Sequence, residues 1–186
     1  MNMFFKICAS AGLIGISSST FADNKFNNDL IQMIECKSNL SQFYKFSENY
    51  DKKLNHNKWK TKKGTNLFKY NFISQKPLIV HGMETNEISV AGSGIYAVYK
   101  NQDTLTLARK FQITQSPFFK DKPYFSGEKV VSIEHKNAPL NRAYLKLTLF
   151  EMLSENQESY ETYLGCQYIS ELEKIQSDQG QESWGE

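Results

Sequence analysis

Three kinds of residue in this chain have chemistry beyond packing: its cysteines, its histidines, and one serine held between glycines. Cys8, Cys36 and Cys166 form no CxxC pair, so their spacing spells neither a dithiol redox motif nor a clustered zinc site. A reactive thiol also needs an exposed, electropositive setting, commonly beside a histidine; the sequence places none there. His56, His81 and His135 are far apart, without HxH, HxxxH or HExxH spacing. His81, after Val80 at a strand end, and Glu134-His135 near another have the groups of a general-base pair. Alternation along solvated strands accounts for them as well and is much the stronger explanation. Ser93 lies in Gly92-Ser93-Gly94, whereas a nucleophile elbow needs Gly-x-Ser-x-Gly between a strand and a helix. Residues on both sides read as strand, so a bulge or bend is expected there. No GxGxxG or GxxxxGK stretch occurs. The reading leans away from an enzyme, with no catalytic residue, cofactor or metal expected.

Two surface stretches are better suited to holding a partner. The first is a basic run interrupted by one aromatic, with Lys58, Lys60, Lys62 and Lys63 around Trp59. It suits charge steering toward an acidic surface, with Trp59 as the anchor; a solvated connection between elements is its plainer explanation. Neutralising the four lysines is expected to weaken binding while leaving the melting temperature nearly unchanged. The second is the loop from Ser116 to Phe125, where Phe118, Phe119 and Tyr124 stand among two prolines. Such a rigid aromatic loop either anchors a partner or folds back over the core.

The elements that must carry these residues begin after a leader. Residues 1–22 place Lys6 before an apolar, small-residue stretch that ends in Thr20-Phe21-Ala22, the pattern of a secretory signal cleaved after Ala22. Cys8 leaves with it. The Lys- and Asn-rich composition reads as bacterial, so a periplasmic or secreted protein is expected. No segment has the run of about 20 apolar residues that spans a bilayer. Cleavage leaves 164 of the 186 residues, the size of one domain, and the formal charge falls from +2 to +1 as Lys6 is lost. Charge is unevenly spread: residues 45–63 hold seven lysines against Glu48 and Asp51, and from Glu151 onward nine acids face Lys174 alone.

From Asn27 to Leu54, Leu30, Met33, Cys36, Leu40, Phe43, Tyr50 and Leu54 recur mostly at spacings of three and four, the stripe of a long amphipathic helix with a break near Ser47. Asn39-Leu40-Ser41, a glycosylation sequon, falls inside it. After Gly64 the period changes. Strands are expected over 66–73, 78–80, 87–99, 130–135, 142–153 and 160–169, and Asp103 caps a short helix over 104–111 with Leu105, Ala108 and Phe111 on one side. No internal repeat is visible. Residues 171–186 read as a polar, disordered tail.

In the last strand Thr162, Leu164, Cys166 and Tyr168 share a face, and Cys36 lies on the inward stripe of the helix. Two cysteines in an exported chain, each on an inward face, are expected to pair as one disulfide. The expected fold is therefore α+β: a long N-terminal amphipathic helix packed on a mainly antiparallel sheet and tied by Cys36–Cys166. The domain runs over 23–170.

The leading functional expectation is an exported, non-enzymatic interaction protein, such as an inhibitor, immunity protein or envelope accessory factor. Its partner is another envelope or secreted protein; export argues against nucleic acid. The alternative is a binder of an apolar or amphipathic small molecule or lipid between helix and sheet; lipid or anionic glycolipid is the further partner expected, the glycolipid for the basic run. An envelope hydrolase with no recognisable motif stands third.

Overall fold

The computed structural model describes residues 19–62, 69–135, 142–154 and 159–182, with side chains over 25–62, 69–134, 142–154 and 159–176. Among the described residues the chain forms α1 (Ser19–Ile34), α2 (Leu40–Ser47), α3 (Tyr50–His56), β1 (Lys60–Lys62), β2 (Lys69–Val80), β3 (Met83–Ala91), β4 (Gly94–Lys100), α4 (Thr104–Phe111), β5 (Thr114–Gln115), a 3₁₀ turn (Pro117–Phe119), β6 (Ser126–His135), β7 (Arg142–Leu153), β8 (Tyr160–Ser170) and α5 (Glu171–Glu182). Among the described residues no helix is long and apolar enough to cross a membrane.

The expected single long helix is three helices. Cys36, placed on its stripe by spacing, adopts the left-handed conformation (φ 57°) in the turn that ends α1. Asn39 then starts α2 with a capping box: its Oδ1 accepts from the Gln42 amide at 2.9 Å, and its own amide donates to Gln42 Oε1 at 2.9 Å. The Asn-Leu-Ser-Gln tetrapeptide carries that start signal in sequence, and the same Asn39 is the sequon residue. The second break falls at Glu48 and Asn49, beside the expected Ser47. Among the α1 side chains described, which begin at Lys25, Phe26, Leu30, Ile31, Met33 and Ile34 reach the core.

Eight strands form one sheet in the order β1-β2-β3-β4-β8-β7-β6-β5, with every pair antiparallel. The order contains a repeat that the sequence conceals. One helical segment followed by a four-strand meander, α2-α3 then β1 to β4, is succeeded by α4 then β5 to β8, and the last strands of the two meanders pair at the centre.

Turn chemistry sets the hairpins. Gly92 has φ 53° and Ser93 is not left-handed, the type II′ pattern, so the expected long strand over 87–99 folds into β3 and β4. His81 (φ 53°) and Gly82 (φ 74°) are both left-handed, as type I′ demands. Strands expected separately at 66–73 and 78–80 are one β2, whose register shifts between Ile73 and Leu78 where Pro77 has no amide to give; residues 66–68 lie outside the described ones.

Cross-strand neighbours assign the two faces. Ile95, Ala97 and Tyr99 of β4, Leu164, Cys166 and Tyr168 of β8, and Leu145, Leu147 and Leu149 of β7 join α1 to α4 in one core. Tyr168 stacks on Phe43 at 4.5 Å and donates to the Met33 carbonyl at 2.8 Å, fixing α1 and α2 on the sheet. The Cys36–Cys166 disulfide joins the turn after α1 to this face of β8. On α4 the buried side is Thr104, Leu107 and Ala108 rather than the expected Leu105, Ala108 and Phe111. A 2.9 Å hydrogen bond between Thr104 and Thr162 hydroxyls sets that rotation and leaves Leu105 exposed. Where a polar tail is expected, α5 follows β8 at once. Ser170 and Glu173 form its capping box, with the Ser170 amide donating to Glu173 Oε2 at 2.8 Å. The Ser-x-x-Glu signal for it stands in the sequence; residues 183–186 lie outside the described ones.

Candidate functional site: the helix-free face of the sheet

The opposite face, helix-free in that α1 to α4 all pack on the other while α5 reaches it at Tyr144, carries one unbroken row across all eight strands: Lys62, Asn71, Ser89, Tyr96, Gly165, Thr148, Glu128 and Thr114, each the cross-strand partner of the next. It begins polar, becomes aromatic at the centre, and ends in a groove.

The polar end is a buried network. Lys62 Nζ lies 2.8 Å from Glu87 Oε1 and 3.4 Å from Glu161 Oε1. Asn71 Nδ2 donates to Glu87 Oε1 at 2.9 Å. Lys69 Nζ donates to the Tyr163 hydroxyl at 2.5 Å, and that hydroxyl donates to Glu161 Oε2 at 2.9 Å. Burial, with the charges of Glu161 and Glu87 beside it, pushes the Tyr163 phenol well above its ordinary 10.0, so it stays a donor. Asn71 Oδ1 and Ser89 Oγ are buried without a partner among the described residues. Both carboxylates are taken up by lysine, asparagine and tyrosine, which makes this a cross-link between β1, β3 and β8 rather than an acid–base pair waiting for substrate.

At the centre, Tyr96 and Phe150 meet edge to face at 5.1 Å, and Phe150 stacks on Tyr163 at 4.9 Å. Gly94 makes this possible, because a Cβ there would overlap the Tyr96 hydroxyl.

Beyond them opens a groove of about 490 Å³. Glu128, Lys146, Thr148 and Gln167 line it, and Pro117 and Phe119 wall it. Gln115 Nε2 donates to the Phe119 carbonyl at 3.0 Å, holding the turn, and Lys146 Nζ pairs with Glu128 Oε1 at 2.5 Å. Phe118, 73% exposed, projects from that turn, with Phe119 between it and Tyr124. The three aromatic residues named from sequence are thus together, at the margin of the groove.

The basic run is not the surface its spacing suggests. Trp59 is 1% exposed, in the helix-side core, with its amide on the Leu54 carbonyl and Nε1 3.4 Å from Asn27 Oδ1. It cannot anchor a partner: it sits one residue out of phase with Lys60 and Lys62, so alternation sends it inward. Lys62 points to the other face, into the carboxylates. Lys58 and Lys60 are exposed, and Lys63 lies outside the described residues.

His81 meets Glu35 and Phe111 rather than Glu134. Its amide donates to Glu35 Oε1 at 2.7 Å and its ring lies 5.1 Å from Phe111. Glu134 Oε2 instead accepts from the Leu40 amide at 3.4 Å; the His135 side chain lies outside the described residues. Burial lowers the His81 pKa from 6.5 against the pull of Glu35. Burial alone would raise the Glu35 carboxyl, but hydrogen bonds from Lys37 and the His81 amide bring it below its ordinary value. Among the described residues no group of three metal-ligating side chains gathers. Ser93 occupies a hairpin turn, and its carbonyl accepts from the Tyr168 amide at 2.8 Å.

Comparison of the chain with protein-family models, with curated proteins and with solved structures gives no match in any of the three. The residues of this face are therefore read on their own chemistry.

Proposed function

We propose that the protein is an exported, non-enzymatic interaction protein that presents the groove end of its helix-free face to another envelope or secreted protein. The observation that carries this reading is the unequal cover of the sheet: among the described residues α1 to α4 pack on one face, while the other, which α5 reaches at Tyr144, ends in an aromatic-walled groove beside the exposed Phe118. A rigid aromatic side chain next to a concave, mixed-polarity surface is the composition of a binding hot spot. The leader pattern and the disulfide support export.

The test is a pull-down from solubilised envelope and secreted proteins with the oxidised chain, with bound proteins and lipids identified by mass spectrometry. A single stoichiometric protein partner is expected, and the double substitution Phe118→Ala, Phe119→Ala should weaken its binding by about 2 kcal/mol or more while the fold persists. Unchanged affinity in that variant removes the aromatic turn from the interface.

A second reading, a carrier of an amphipathic small molecule, draws on a different cavity. About 300 Å³ lies among α1, α2 and α3, with Phe26, Met33 and Phe46 as apolar lining and Lys45 and Lys53 among its polar residues. Its size is at the lower end for small-molecule sites, and it lies between helices rather than between helix and sheet. Retention of a lipid in native mass spectrometry would favour it; an empty protein would count against a tight carrier.

A further inference from the structure

We propose that two copies of this chain join edge to edge through β6, extending the antiparallel sheet across a twofold axis. The short β5 pairs only with Gly127 and Glu128, so Lys129 to His135 have no neighbour on that side among the described residues. Antiparallel pairing alternates between inward and outward main-chain groups. The Ser126 carbonyl accepts from the Ser116 amide, which turns Ser126, Glu128 and Val130 outward. The bulge between Val130 and Ser132 resets the alternation, and Ile133 is the next residue to face out.

Between Lys129 and Glu134 this edge exposes apolar residues, with the bulge as its guarding irregularity. Val130, Val131 and Ile133 are 46%, 42% and 44% exposed. The other edge of the sheet, the part of β2 that β1 leaves uncovered, carries Lys76 and Pro77, two residues that resist strand addition. Edge β6 has no proline.

What identifies the occupant as a second copy is that the strand complements itself. Laid antiparallel on its own twofold image about the midpoint of Val131 and Ser132, Lys129 meets Glu134, Val130 meets Ile133, and the two bulges coincide. Cross-strand partners put Lys129 and Glu134 on the helix side, opposite Leu147 and Ala143, and Val130 and Ile133 on the helix-free side, opposite Lys146 and Tyr144. Opposite charges and β-branched pairs therefore fall on matching faces, the arrangement that stabilises an antiparallel pair. Val130 and Ile133 are also the residues whose main chains face out, so each can exchange backbone hydrogen bonds with the other's copy. Lys129 now reaches Gln112 Oε1 at 3.2 Å and Glu134 the Leu40 amide at 3.4 Å, single contacts that do not bar cross-strand pairing. A twofold axis perpendicular to the sheet keeps both helix-free faces on one side, bringing two grooves onto one surface. The inference does not depend on what those grooves bind.

The test is sedimentation equilibrium on the oxidised protein recovered after export. A monomer–dimer equilibrium is expected, weakened by Ile133→Lys by about tenfold or more with circular dichroism and thermal melting unchanged. Lys129→Glu and Glu134→Lys should each weaken it, and the double reversal should restore it, since like charges repel across strands and the reversed pair attracts. This second set stands if the Ile133 variant fails to fold. Three results overturn the proposal: a monomer up to about 1 mM, the weakest specific association of interest; a dimer unmoved by these substitutions; or a monomer whose β6 pairs only with a strand of an unrelated protein.

Discussion

His81 is a histidine in a position that suits asparagine. It holds φ 53° at the first place of a type I′ turn, with its ring buried against Phe111. Its pKa is lowered from 6.5, chiefly by burial. The unfolded chain therefore takes up the proton first, and the stability this residue contributes is present above about pH 6.5 and lost as the pH falls through the folded value. His81→Asn keeps the turn, because Asn-Gly is the preferred type I′ pair. Relative to the native chain, the variant should gain stability between pH 7.5 and pH 5 in urea unfolding; a constant difference would mean that folding leaves the pKa of this histidine unchanged. The sequence placed this histidine at a strand end beside Gly82. That it faces Glu35, 46 residues away, follows from how α1 lies over the β2–β3 turn, which spacing along one segment does not report.

Among the elements, the N-terminal helices divide legible from hidden features. The apolar stripe identified the buried residues, since Leu30, Met33, Leu40, Phe43 and Leu54 are all in the core. It carried the break near Ser47 but not the one before Asn39, because a periodic pattern continues through a turn whenever the following helix packs on the same face. The capping box at Asn39 is what divides α1 from α2. Asn39→Ala should cost about 1 kcal/mol and Asn39→Asp much less, since aspartate still accepts from the Gln42 amide; chemical denaturation compares the two, and equal losses would deny the cap its role. Strands were read more closely: β7 is the segment 142–153 and β8 the segment 160–170, because alternation there is maintained by burial on the helix face. The hairpin at Gly92-Ser93 was missed. Apolar residues flank it on both sides, and only the positive φ at Gly92 turns the chain.

For the whole molecule, two cross-links join the start of the chain to its end, one on each face of the sheet. The disulfide spans 130 residues. Replacing both cysteines by serine should lower the unfolding free energy by about 2–5 kcal/mol, read from denaturation of the variant beside the native chain. Lys62 is the other link, holding Glu87 of β3 and Glu161 of β8. Lys62→Ala leaves two buried carboxylates without their shared cation and should cost about 3 kcal/mol; Lys58→Ala and Lys60→Ala, at exposed positions, should cost no more than about 0.5 kcal/mol each. Thermal melts of the three single variants check this. Equal small losses would return Lys62 to the solvated run in which its sequence neighbours place it. The expectation that neutralising all four lysines spares the melting temperature is thus replaced: Lys62 belongs to the framework.

The sequence by itself determined the α+β class, the inward stripe of the first helices, the two long strands at the end of the chain and the pairing of Cys36 with Cys166. Each of these follows from a local period or from cysteine parity, which a single chain displays directly. Only the tertiary structure decided that Trp59 is core, that Lys62 bridges two carboxylates, that two meanders meet at β4 and β8, and that the aromatic turn walls a groove. The physical reason is common to all four. Whether a side chain is an anchor, an ion-pair partner or a wall depends on which distant residue stands across the sheet from it, and that register is set by the packing of the whole chain.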